Sequence, residues 1–257
     1  MSFVITTYVP EALVMASDSR QSVKLERKNE ETGEKLPVVE TVSSDFVYKT
    51  FLLEKQKVGV SSYGDALLGG VNTESHIKRF AEEKLEDNDD VTSISEKLLE
   101  FFKEKFPKAN TAFHVSGFKK EGKKSIPYVY VCHIAKNERN RVNVKPDEKE
   151  KIIYGSAWGG QGDVMASILN PGKAMGPDGK VHDVFKTPIL WDAMTVQDTI
   201  DFTIYAVRTT IDTMRFQARP KNVGGPIDVL LITSKEAKWI QRKELHGEMS
   251  SGLGANF

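Results

Sequence analysis

Two short runs of β-branched and apolar residues, FVITTYV at 3–9 and ALVMAS at 12–17, stand on either side of Pro10-Glu11. Each run is of strand length, and the proline between them stops a helix and supplies a turn. The pattern predicts an antiparallel hairpin that opens almost at the first residue. It commits the start of the chain to the interior, so the residue at position 2 enters the fold at the end of a buried strand.

The rest of the chain is read around that hairpin. Residues 22–48 carry a charged stretch, KLERKNEETGEK, and then LPVVETV, which together predict a solvated hairpin over about 22–45. YKTFLLEKQKVGVSSYG predicts a further strand pair. The apolar period then lengthens, predicting helices over ALLGGVNTESHIKRFAEEKL and SISEKLLEFFKEKF, the second capped by Thr92 or Ser93. Strands return at TAFHVSGF, IPYVYVCHIA and KIIYGSA, followed by helices over 160–169 and 195–216 and strands at PIDVLLIT and AKWIQRKEL. Residues 171–190 read as an irregular loop and 247–257 as a loose tail.

Strands, two helices, strands, two helices and strands do not alternate as a parallel doubly wound sheet requires. The order fits an α+β, four-layer αββα sandwich, with two antiparallel sheets face to face and helices on both outer faces. A chain of 257 residues suits one such domain over 1–257.

Composition removes several alternatives. Lys plus Arg and Asp plus Glu both number 36, so nothing electrostatic favours nucleic acid or an anionic membrane as partner. No apolar run approaches the roughly 20 residues of a membrane span. The start lacks a basic region, and Pro10-Glu11 interrupts its apolar run, so a signal peptide is not expected and the protein reads as cytoplasmic. The one cysteine, Cys132, excludes an internal disulfide framework, and its setting in YVYVCHIA suggests a buried, inert thiol. The five histidines lack the i, i+4 spacing of a metal pair, GGQGD lacks the lysine-Ser/Thr step of a phosphate loop, and G-x-S-x-G is absent. No metal or cofactor is expected.

VMASDSR, followed by a strand, a lysine and GVSSYGDA, resembles the proteasome β-subunit group of N-terminal nucleophile hydrolases, closest to the bacterial Anbu-type proteasome-like proteins. DTMRFQARPKNVGGPIDVLLI resembles the family's passage from its last long helix into the next strand. The resemblance sets Ser2 where the family has its N-terminal threonine, Asp18 on its acid, Arg20 on the arginine after it and Lys49 on its lysine. It implies an oxyanion donor at Ser61, and supporting groups at Ser156 and Asp212, with Asn222 near a further hydroxyl. Gln21, Phe51, Gly59 and Tyr63 would line the pocket beside the scissile bond. Serine in place of threonine and Ser61 in place of glycine are departures from the family's pattern.

The implied chemistry suits these residue types. A hydroxyl is a weak nucleophile and needs a base; a free α-amine, of pKa about 7.7–8.0, is one, attached to the same residue. Lys49 would favour loss of the hydroxyl proton and keep the amine neutral, with Asp18 as its counter-charge. All of this requires removal of Met1, which the small serine at position 2 permits. The expected function is hydrolysis of peptide amides, with peptide or unfolded protein as substrate and a homo-oligomeric ring or spiral as assembly; an ATP-dependent unfoldase partner stays open. A catalytically silent assembly subunit and a small-molecule amidase on the same fold are the alternatives. Taken singly, the residues have ordinary readings: a serine after the initiator, a turn at Asp18-Ser19-Arg20, a strand-edge lysine at 49. Their order along the chain carries the resemblance.

Overall fold

The hairpin forms as its sequence predicts: Val9 N–H donates to Ala12 O across Pro10-Glu11 at 2.9 Å, joining β1 (Phe3–Tyr8) to β2 (Leu13–Ser17). Every residue of both strands is buried, which is what strands apolar on both faces require. The computed structural model describes residues 2–25, 28–148, 151–170, 172–184 and 187–245. The expected tail and Met1 lie outside the described residues.

Next comes the charged hairpin, β3 (Gln21–Leu25) against β4 (Val39–Ser44), then β5 (Thr50–Leu53) and β6 (Val58–Gly64). The helix expected from residue 66 starts later. Gly69 and Gly70 both take positive φ and turn β7 (Leu67–Leu68) back on β8 (Val71–Asn72), so α1 spans Thr73–Lys84. The second helix, α2 (Val91–Lys105), is capped by Asp90 instead of Thr92 or Ser93. Asp90 accepts from the N–H groups of Thr92 and Ser93 while Ser93 Oγ takes the Asp90 N–H, a reciprocal capping box.

Strands β9 (Thr111–Glu121) and β10 (Lys124–His133) follow, with β11 (Glu138–Arg141), a charged edge strand that carries no apolar pattern. β12 (Gly155–Gly160) runs into the Gly-Gly stretch assigned to a helix start, and α3 begins only at Asp163 and ends at Leu169. Within the stretch read as an irregular loop, β13 (Gly172–Met175) pairs with β14 (Val181–Val184). The long helix α4 (Val196–Phe216), β15 (Asp228–Ile232) and β16 (Ala237–Gln241) complete the order.

Two five-stranded sheets carry the core, in the orders β12-β1-β2-β15-β16 and β11-β10-β9-β6-β5, with every pairing antiparallel. Three apolar clusters pack on them. Phe3, Ile5, Val14, Ala16 and Val229 join Met165 of α3 and Ala206, Val207 and Met214 of α4. Val58, Val60, Phe113 and Val115 join Ile77 and Phe80 of α1 and Leu98, Phe101 and Phe102 of α2. Leu13, Met15, Leu230 and Ile232 of one sheet meet Val129 of the other. No helix among the described residues is long and apolar enough to cross a membrane.

Candidate active site

Asp18 closes β2 with a carboxylate wholly out of solvent, and a buried carboxylate must find donors. It has four. Oδ1 accepts from Phe3 N–H at 2.9 Å and from Lys49 Nζ at 2.7 Å; Oδ2 accepts from Arg20 N–H at 3.1 Å and Gly224 N–H at 3.0 Å. The carboxylate therefore ties the start of β1, the end of β2, the strand-entry lysine and the loop before β15 to one point.

Lys49 stands just before β5 and is buried. Its Nζ donates a second bond to Arg20 O at 2.6 Å, and its own carbonyl accepts from Ser62 N–H at 2.8 Å. Burial pulls the ammonium below its usual range; the charge and hydrogen bond of Asp18 oppose that. Arg20 turns outward and meets Asp45 through two parallel bonds, Nε to Oδ1 at 2.6 Å and Nη2 to Oδ2 at 2.9 Å, the planar fork that arginine makes with a carboxylate. That bonding raises the guanidinium above its usual range and lowers Asp45.

Ser2 leads directly into β1. Its carbonyl accepts from Gln161 N–H at 2.8 Å, where β12 runs past it. Gly160 makes that approach possible: its φ is +86°, and a Cβ there would overlap the Ser2 carbonyl oxygen. Ser2 lines a narrow cleft with Arg20, Gln21, Tyr48, Lys49, Ser62, Tyr63, Gly64, Asp65 and Thr73. Of the residues the resemblance singles out, Ser2, Arg20, Gln21, Lys49 and Tyr63 share this cleft, and Asp18 holds Lys49 from behind.

Tyr63 is positioned from both sheets. Its ring lies edge-on to buried His114, centroids 5.5 Å apart, and covers Gly159 of β12, where a Cβ would overlap the ring. Burial raises its hydroxyl above the usual tyrosine range.

Six expected residues lie elsewhere. Ser61 is paired on both sides, with Thr50 of β5 and His114 of β9, and its hydroxyl meets Thr50 Oγ1 at 2.9 Å; it is not among the cleft residues. Phe51 packs in the cluster beneath α1 and α2. Gly59 faces the other sheet, and the space beside its Cα is filled by Met15, Ile232 and Leu230 instead of standing open. Ser156 pairs with Thr7, five residues from Ser2 along the extended run of β1, so roughly 17 Å away at about 3.4 Å per residue. Asp212 is exposed on α4. Asn222 is buried, donating to Glu40 at 3.3 Å.

The contacts that sequence reasoning missed are mostly backbone ones. The Gly224 N–H on Asp18 lies in NVGG, and the Gly160-Gln161 step lies in WGGQG; a Gly-Gly pair beside a strand was the available signal in both. Asp45 carried none, because its partner is 25 residues away.

No family model matches the chain, and no curated protein matches it. Among solved structures the fold is similar to that of an Anbu (Gly-1) mutant from Hyphomicrobium sp. strain MC1, with a TM-score of 0.59 at 13% identity over 96% of this chain and 88% of that one. At this identity the likeness is one of fold alone.

Proposed function

We propose that the chain is a proteasome-like N-terminal nucleophile hydrolase that cleaves amide bonds through an acyl-enzyme on Ser2, within a four-layer αββα sandwich. The observation that carries this reading is the buried Lys49–Asp18 pair beside the cleft that Ser2 lines. Two of the three Lys49 N–H groups are spent on Asp18 and Arg20 O, which leaves the third for Ser2 Oγ.

Once Met1 is removed, the Ser2 amine takes the Oγ proton as Oγ attacks the scissile carbonyl carbon. The tetrahedral oxyanion collapses, the C–N bond breaks, and the departing amine carries that proton away. Water then attacks the Ser2 ester with the same amine as base, releasing the acid. The positive charge of Lys49 favours the alkoxide throughout. The oxyanion donor is assigned to Gly64 in place of Ser61. The Ser62 N–H already serves Lys49 O, and Gly64, past the point where β5 begins, borders the cleft. A preorganised donor of this kind is worth about 2.7–4 kcal/mol. Assembly into a homo-oligomer belongs to the same reading.

A second reading, a catalytically silent assembly subunit, is favoured by one observation: neither Ser156 nor Asp212, the expected supporting groups, is among the residues that line the cleft with Ser2. Turnover of a peptide amide by the parent, its loss in Ser2→Ala and its survival in Ser2→Thr test the hydrolase. No turnover in a protein that has lost Met1 selects the silent subunit.

A further inference from the structure

A second buried lysine–aspartate pair stands beside the first. Lys243 follows β16, and its Nζ binds Asp228 and donates to Ser19 Oγ at 2.9 Å. Its backbone N–H donates to the other Asp228 oxygen at 2.9 Å, so one residue clasps the carboxylate from two sides. The ammonium also lies 4.0 Å from the centre of the Tyr48 ring, within cation–π range. Asp228 pairs with Ser17 on β2, one residue from Asp18.

Lys243 thus touches the residue after Asp18 and the residue before Lys49. Ser19 is further held by its N–H on Gly224 O at 3.0 Å and its carbonyl under Val47 N–H at 3.0 Å. The next residue, Arg20, supplies the carbonyl that grips Lys49 Nζ. Tyr48 borders the cleft, with the Arg242 guanidinium 4.7 Å from its ring.

We propose that Lys243 is a positioning residue: with Asp228 it latches the segment after β16 onto the flanks of Asp18 and Lys49, and so sets the aim of the Lys49 ammonium at Ser2. The proposal rests on the hydrolase reading for its catalytic consequence, while the geometric part stands apart from it. A buried pair costs several kcal/mol of desolvation per ion, and hydrophobic replacements are often neutral or stabilising, so stability alone gives little reason for it. Burial lowers the Lys243 ammonium, Asp228 opposes that, and the charges of Arg242 and Lys49 add to the lowering.

The test uses the full chain carrying Lys243→Met with Asp228→Asn, which removes both charges and keeps an acceptor for the residue 243 N–H. Lysine-selective NMR follows hydrogen exchange of the Lys49 ammonium, with β1–β2 amide exchange as the measure of global stability. The latch requires Lys49 exchange to accelerate by about 10-fold or more while the amides hold, the scale of supporting partners around other sites. It also requires kcat to fall by about 10-fold with KM within about twofold, the mark of lost transition-state positioning. Unchanged Lys49 exchange in the folded double variant overturns the proposal. If that variant does not fold, Ser19→Ala, which deletes only the hydroxyl that Lys243 holds, carries the same exchange test with the same two outcomes. Absence of hydrolysis in the parent counts against the hydrolase and leaves the exchange result standing.

Discussion

Lys49 Nζ lies 2.7 Å from Asp18 Oδ1, and both side chains are buried. Three backbone N–H groups share the Asp18 carboxylate, whereas Lys49 Nζ meets, among the described residues and besides Asp18, only the carbonyl of Arg20. The pair is therefore unequal. Asp18→Leu strands an ammonium and three N–H groups and is expected to cost about 3–5 kcal/mol, the price of breaking a buried pair. Lys49→Met leaves a carboxylate that is still hydrogen-bonded and is expected to cost distinctly less. Urea unfolding of both variants checks the order, and equal losses would contradict it.

Gly160 is expected to be intolerant. Alanine there meets both a positive φ and the Ser2 carbonyl, a backbone atom that cannot swing aside. Gly160→Ala should destabilise by more than about 2 kcal/mol and displace Ser2 from the cleft. Thermal unfolding measures the first and loss of Ser2 acylation the second. A variant of parental stability and reactivity would show that the close approach is unimportant.

His114 sets a pH dependence. Its Nδ1 meets Thr6 Oγ1 at 3.0 Å, and burial pushes its pKa down to about 4 from 6.5. The unfolded chain takes the proton first, so stability is full above about pH 6.5, falls as pH drops and levels off below about 4. The drop is about 3 kcal/mol from this group. His114→Asn should flatten that part of the curve, seen as a difference between the two urea-midpoint profiles; parallel profiles would remove His114 from the account.

Cys132 is wholly buried, its Sγ 3.6 Å from Ser95 O, and burial pushes its pKa up to about 12. A thiol-selective reagent at pH 8 should leave the native protein untouched and label it stoichiometrically in denaturant. Rapid native labelling would place the thiol near solvent.

The fold was largely legible because its signals are periodic. The hairpin around Pro10-Glu11 and the long helix up to Phe216 both stand where their patterns put them. The grouping of the candidate residues was legible where they lie close in sequence to a strand end, as Ser2, Asp18 and Lys49 do. It was not legible where only the facing of a strand decides. Gly59, Ser61 and Tyr63 alternate onto one face of β6, turned toward the other sheet, but Gly59 and Ser61 lie deep between the sheets and only Tyr63 reaches the cleft. Phe51 pairs with Val60 and shares its cluster against the helices. Ser156 depended on the register of β12 against β1, which no local pattern in YGSAW encodes.

The central claim is that Ser2, freed at its own nitrogen, is the acyl acceptor. Intact-mass and N-terminal peptide mass analysis, after incubation with a slowly hydrolysed peptidyl acylating reagent, tests it in one measurement. The account predicts a mature chain beginning at Ser2, with one acyl group on the Ser2 peptide and none in the Lys49→Met variant. A chain that retains Met1, or an unmodified Ser2 in a chain that has lost it, would contradict the account.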